Sequence, residues 1–138
     1  MKSGFLVMSI TMMVLAGCNV AGFRYHEIHE RYQKLGAKEK DVVKAMLECG
    51  MVDPFGHLRL ETGRSYQEEV ENTAYGEACM FNDGFKLAPG YRGSMCEGNP
   101  NRQACKPENA HLIPKRDINR RLNSHYCKAY PKARACQP

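Results

Sequence analysis

The sequence predicts a mainly α-helical fold: a small disulfide-stapled helical domain of two amphipathic helices plus a short third, with a loop-rich Cys/Pro C-terminal part. Three observations predict it. Apolar side chains recur at helical spacing in residues 42–47 and again in residues 66–81. Beyond Cys18 the cysteines are Cys49, Cys79, Cys96, Cys105, Cys127 and Cys136, an even set in a chain too short to bury a large core. The pattern C-x3-P-x3-A-C occurs twice near the end, at Cys96–Cys105 and Cys127–Cys136.

In chain order, Lys2 precedes an apolar run over residues 5–15, and small residues follow it. A basic start, an apolar middle and small residues before a cut site describe a secretory signal peptide. A membrane span needs about 20 apolar residues, and Asn19 interrupts the run before that. Leu15-Ala16-Gly17-Cys18 resembles the lipobox of bacterial lipoproteins, in which the cysteine thiol is acylated and the chain is cut just before it. The expected division is therefore a signal peptide over 1–17, a lipidated N-terminus and tether over 18–36, and one domain over 37–138. Export places the remaining cysteines in an oxidising compartment, where disulfides persist.

Residues 24–32 are polar and aromatic, with no clear periodicity. His26 and His29 stand three apart with no evident third ligand, so solvated histidines are expected and no metal site. The first helix spans about 38–49. Val42, Val43, Met46 and Leu47 form its apolar stripe, Lys38, Lys40, Lys44 and Glu48 take the other side, and Gly50 stops it. Residues 52–63, with Asp53-Pro54, Gly56 and Gly63, form a loop.

The second helix starts at Ser65, where Ser65 and Glu68 make an S-x-x-E capping box, and ends near Asp83-Gly84. Tyr66, Val70, Ala74, Ala78 and Phe81 form its expected inner face, and Glu68, Glu69 and Glu71 suit the positive end of its dipole. Each of the two helices carries a cysteine near its C-terminal end, so Cys49–Cys79 is the simplest bridge, worth about 3–4 kcal/mol in the chain-entropy account. A short third helix over 117–127 would place Ile118, Leu122 and Tyr126 on one face. The doubled pattern pairs Cys96 with Cys105 and Cys127 with Cys136, each loop worth about 2.5–3 kcal/mol. A crossed pairing, Cys96–Cys136 with Cys105–Cys127, is the alternative.

Leu35-Gly36-Ala37, Asp41-Val42, Ala45-Met46-Leu47-Glu48-Cys49-Gly50, Cys79-Met80 with Gly84-Phe85, and the C-x3-P-x3-A-C loops resemble a group of small bacterial lipoproteins. In that group a G-A…D-V…A-x-L-E-C-G helix precedes a C-M-x-x-x-G-F helix end and a Cys/Pro tail. The resemblance implies a lipidated, stapled helical domain and carries no activity with it. Likeness to lipoproteins of double-membraned bacteria implies multiple acylation of Cys18, and Asn19 favours the outer membrane under the common sorting rule.

Net charge is +5, unevenly spread. Glu68, Glu69, Glu71 and Glu77 lie in an acidic first part, and the tail is basic. The two parts either pair with each other, stay solvated, or present a basic surface to an anionic partner. The candidate contact residues are Arg116, Arg120, Arg121, Lys128, Lys132 and Arg134. Partners of that surface would be an envelope protein or an anionic lipid or glycan, not nucleic acid. No nucleophile elbow or phosphate-binding loop occurs, and His57, His111 and His125 are scattered, so no catalytic residue, metal or cofactor is expected. The functional expectation is a membrane-anchored, non-catalytic binding or accessory lipoprotein of the cell envelope. The rivals are a surface-protective lipoprotein that excludes phage or blocks a host factor, and, ranked lower, an envelope hydrolase.

Overall fold

A computed structural model describes residues 26–56 and 61–138. The leader, Cys18, the first part of the tether and His57 lie outside the described residues. The described chain is mainly helical, built on α1 (Glu39–Glu48) and α2 (Tyr66–Asn82). A minimal antiparallel pair, β1 (Tyr32–Gln33) and β2 (Lys86–Leu87), lies beside them in the register Tyr32↔Leu87 and Gln33↔Lys86. Three short helices follow: α3 (Met95–Gly98), α4 (Ile118–Leu122) and α5 (His125–Ala129).

The first helix is the hub. It starts where the Asp41 carboxylate accepts the Lys38 N–H, and it ends where Gly50 turns at φ +90°. Val42, Ala45, Met46 and Cys49 pack with Tyr32, Met80 and Phe85 on one side. Val43 and Leu47 pack with Tyr126, Cys127, Ala135 and Cys136 on the other. The expected apolar stripe is thus present but split between two cores. Glu48, placed on the solvent side by sequence, is buried between them.

In α2 the capping box forms as the motif requires: Ser65 Oγ accepts the Glu68 N–H, and the Glu68 carboxylate accepts the Ser65 N–H. Its buried side differs from the expected one. Ala74, Gly76, Glu77, Cys79 and Met80 face inward, and Tyr66 stands exposed. At this point α2 lies against the buried Met51 side chain just after α1: a Cβ on Gly76 would stand 2.4 Å from Met51 Cγ, so no larger residue fits there without displacing it.

All three disulfides pair as the helix ends and the repeat predict: Cys49–Cys79, Cys96–Cys105 and Cys127–Cys136. The two C-x3-P-x3-A-C segments form one local structure twice. Each begins at a serine N-cap, Ser94 or Ser124, runs through a short helix and turns near its proline. Each then closes in a 3₁₀ turn, Gln103–Cys105 or Arg134–Cys136, and both Cα–Cα separations are 5.3 Å. The buried alanine inside each turn, Ala104 or Ala135, lets it sit close to a helix. The first turn packs on α2 and the second on α1.

Two expectations change. The ordered domain starts before residue 37, because a 3₁₀ turn over Ile28–Arg31 and β1 pack onto the helices and Tyr32 enters the core. The third helix over 117–127 is broken in two: Ser124 caps a new helix by accepting the Cys127 N–H, which ends α4 at Leu122.

Candidate functional site

Six basic residues were candidates for a contact surface, and the fold separates them. The backbone N–H of Asp117 donates to the carbonyl of Glu48, docking the start of α4 on the end of α1. That contact aims the arginines of this segment inward. Arg116 donates from Nε to Glu48 Oε2 at 2.7 Å and from Nη1 to Asp83 Oδ2 at 2.8 Å. Arg121, 2% exposed, sets its Nε 3.1 Å from Glu48 Oε1 in an ion pair poorly angled for a hydrogen bond. Its Nη1 donates to the carbonyls of Ala135 and Gln137, tying down the chain end. Arg120 donates from Nη1 to the carbonyls of Glu48 and Lys115.

Arg121 is therefore structural, and Arg116 and Arg120 are tied to the end of α1 rather than spread over an open surface, a correction to the expected contact surface. Glu48 and Asp83 of the acidic first part hold them, together with the tail's own carbonyls at Lys115, Ala135 and Gln137. Lys34 joins the same network, 3.1 Å from Asp83 Oδ2. Arg102 adds a looser contact of the same kind, 3.9 Å from Glu71. The acidic and basic parts of the sequence face each other.

The electrostatics follow from this geometry. Partial burial would raise the Asp83 carboxyl, but the hydrogen bonds from Arg116 and Lys34 outweigh it and hold the group below its ordinary value. Burial opposes the charge on Arg116, yet its bonds to Asp83 and Glu48 hold the guanidinium above its ordinary value. A second buried carboxylate, Glu77, accepts the Tyr32 hydroxyl at 2.8 Å and the Met95 N–H. Burial, then the charge of Glu77, pushes the Tyr32 hydroxyl well above its ordinary value. This pair fastens β1 and α3 to α2.

Lys128, Lys132 and Arg134 remain exposed. Arg134 shares a groove of about 440 Å³ with Lys38 and Lys40, over a floor of Val43, Phe55 and Tyr126. Sequence reading missed Lys38 and Lys40 as partners of the tail, because only the packing of the last 3₁₀ turn on α1 brings them together. Phe55 and Tyr126 lie with ring centroids 5.6 Å apart, and Tyr126 and Tyr130 5.3 Å apart, so aromatic surface continues from the groove to the exposed Tyr130.

The other departure is α4 itself. Ile118 and Leu122, expected on an inner face with Tyr126, point outward at 58% and 38% exposure, and Leu112 nearby in sequence is also exposed. Arg121 takes the inner position instead. The break at Ser124 turns Tyr126 into the core without them.

His29 is a smaller correction: it is buried, edge-on to Phe55 at 5.2 Å between ring centroids, and its Nδ1 lies 3.3 Å from Glu27. His26 is exposed and contacts Glu30. Among the described residues no group of three or more His, Cys, Asp or Glu could hold a metal ion, and no helix is long and apolar enough to cross a membrane. No family model, curated protein or solved structure matches the chain.

Proposed function

We propose that the protein is a non-catalytic binding subunit of the bacterial cell envelope, anchored to the outer membrane through acylated Cys18. The observation that carries the binding role is α4: it buries Arg121 and turns Ile118 and Leu122 outward. Apolar side chains at i and i+4 on a helix are neighbours, so they offer a continuous apolar contact. Lys115 and Lys128, both exposed, flank that helix in sequence. The partner favoured is an envelope protein with an apolar patch bordered by acidic residues, drawn in by the basic tail. The anchor draws support from the lipobox-like Leu15-Ala16-Gly17-Cys18 and from cysteine pairing. The six cysteines beyond Cys18 are paired with one another, so its thiol has no disulfide partner within the chain.

A photo-crosslinking residue placed at Ile118 or Leu122 in intact cells tests the binding role, with Gln67 on α2 as the control position. The expected result is one reproducible envelope protein captured from α4 and not from Gln67. Equal capture from both positions, or none from α4, refutes it. Cys18→Ser tests the anchor separately, by release of the protein from the membrane fraction.

A further inference from the structure

Between the end of α1, the middle of α2 and the α4–α5 junction lies a cleft of about 490 Å³. That volume suits a small molecule rather than a peptide. Its charge is one-sided: Arg64 and Arg120 line it beside the His125 ring, and no acidic side chain does among the described residues. Asn72 and Tyr75 add neutral polar groups from α2, and Met51, Leu112 and Pro114 add apolar wall.

Arg120 is held ready for a ligand. Its stem passes over Gly50, where an added Cβ would meet its Cδ at 3.4 Å. Its Nη1 is fastened by the carbonyls of Glu48 and Lys115, and the described hydrogen bonds use neither Nε nor Nη2. A guanidinium fixed in this way has already lost its side-chain freedom, so binding does not have to remove it. Its remaining N–H groups match the paired oxygens of an oxyanion. Arg64 lies 3.7 Å from Glu69, a loose exposed contact that an incoming anion can replace. Asn72 spends its amide N–H on the carbonyl of Gly50, which holds the floor of the cleft to α2.

We infer that this cleft binds a small organic oxyanion, a carboxylate or phosphate monoester on a compact apolar body. The charged group would sit between Arg120 and Arg64, and the apolar body against Leu112 and Pro114. This site is separate from the outward face of α4 and does not depend on the anchor.

The test uses the full chain, purified with its disulfides intact in an uncharged detergent, and titrated calorimetrically with benzoate, phenyl phosphate and the neutral benzyl alcohol. The expected result is saturable binding of benzoate or phenyl phosphate at least about tenfold tighter than benzyl alcohol. The tighter of the two anions identifies the headgroup. Arg120→Gln should weaken that binding about tenfold or more. Because Arg120 also closes the end of α1, Arg64→Gln and Tyr75→Phe serve as variants that leave the core in place, and each should weaken binding several-fold. Absence of saturable anion binding, equal binding of benzyl alcohol, or full affinity in both Arg64→Gln and Tyr75→Phe would overturn the inference.

Discussion

Glu48 is the residue whose loss should matter most. Its carboxylate neutralises Arg121, which is 2% exposed, and shares Arg116 with Asp83. In Glu48→Gln the side chain keeps its size, but Arg121 loses its counter-charge in a place water does not reach. Breaking one partner of a buried pair costs about 3–5 kcal/mol, because the other charge is left uncompensated. A domain of this size has a total stability of about 5–15 kcal/mol, so about a fifth or more of it is at stake. Urea unfolding of the oxidised protein reads this directly, with slopes of about 1–3 kcal/mol/M for small domains. The expected midpoint shift is about 2 M with an unchanged slope. The melting temperature should fall by roughly 12 °C or more, at about 4 °C or more per kcal/mol.

A double-mutant cycle with Arg121→Met separates the pair from its surroundings. The loss in Glu48→Gln should shrink once Arg121 is gone, while Arg121→Met keeps its own cost from the unbonded carbonyls of Ala135 and Gln137. Glu48→Gln within about 0.5 kcal/mol of the parent would refute the argument, since changes of that size are ordinary for exposed positions. It would mean that water already solvates this cluster.

Asp83 gives a pH prediction. Its carboxyl is held below its ordinary value in the folded chain, so its contribution is present above the unfolded value near 4 and is lost as pH falls through the folded value. Denaturant midpoints from pH 7 to 2 should fall more gently in Asp83→Asn than in the parent, with the two curves converging below about pH 4. Removing the Cys49–Cys79 bridge as a paired Ala variant should cost about 3–4 kcal/mol. Removing the shorter Cys96–Cys105 bridge should cost about 2.5–3 kcal/mol; guanidinium unfolding of the two variants, compared at one pH, tests the order.

Residues close together in the chain made much of this fold legible. Ser65 and Glu68 mark the start of α2 because a capping box is closed by two residues of one turn. Gly50 and Gly84, at φ +90° and +85°, mark helix ends because the left-handed backbone there suits glycine. The repeat pairs Cys96 with Cys105 and Cys127 with Cys136 because a ten-residue loop with a turn at its proline returns on itself. These are local constraints, and local sequence suffices to state them.

Tertiary structure decided the rest. Periodicity identified an amphipathic α1 but not that two separate cores would claim it, since the second core is supplied by α5 and the last 3₁₀ turn, far along the chain. Glu48 reads as a surface residue until Arg116 and Arg121 arrive from the tail to neutralise it. The same arrival buries Arg121 and ties Arg116 and Arg120 to the end of α1, and the packing of the last 3₁₀ turn on α1 brings Arg134 to Lys38 and Lys40. In α4 the helical pattern favoured burying Ile118 and Leu122, and the fold buries Arg121 instead. The carboxylate of Glu48 and two backbone carbonyls already lay there, and a guanidinium could satisfy them where a leucine would have left them unpaired.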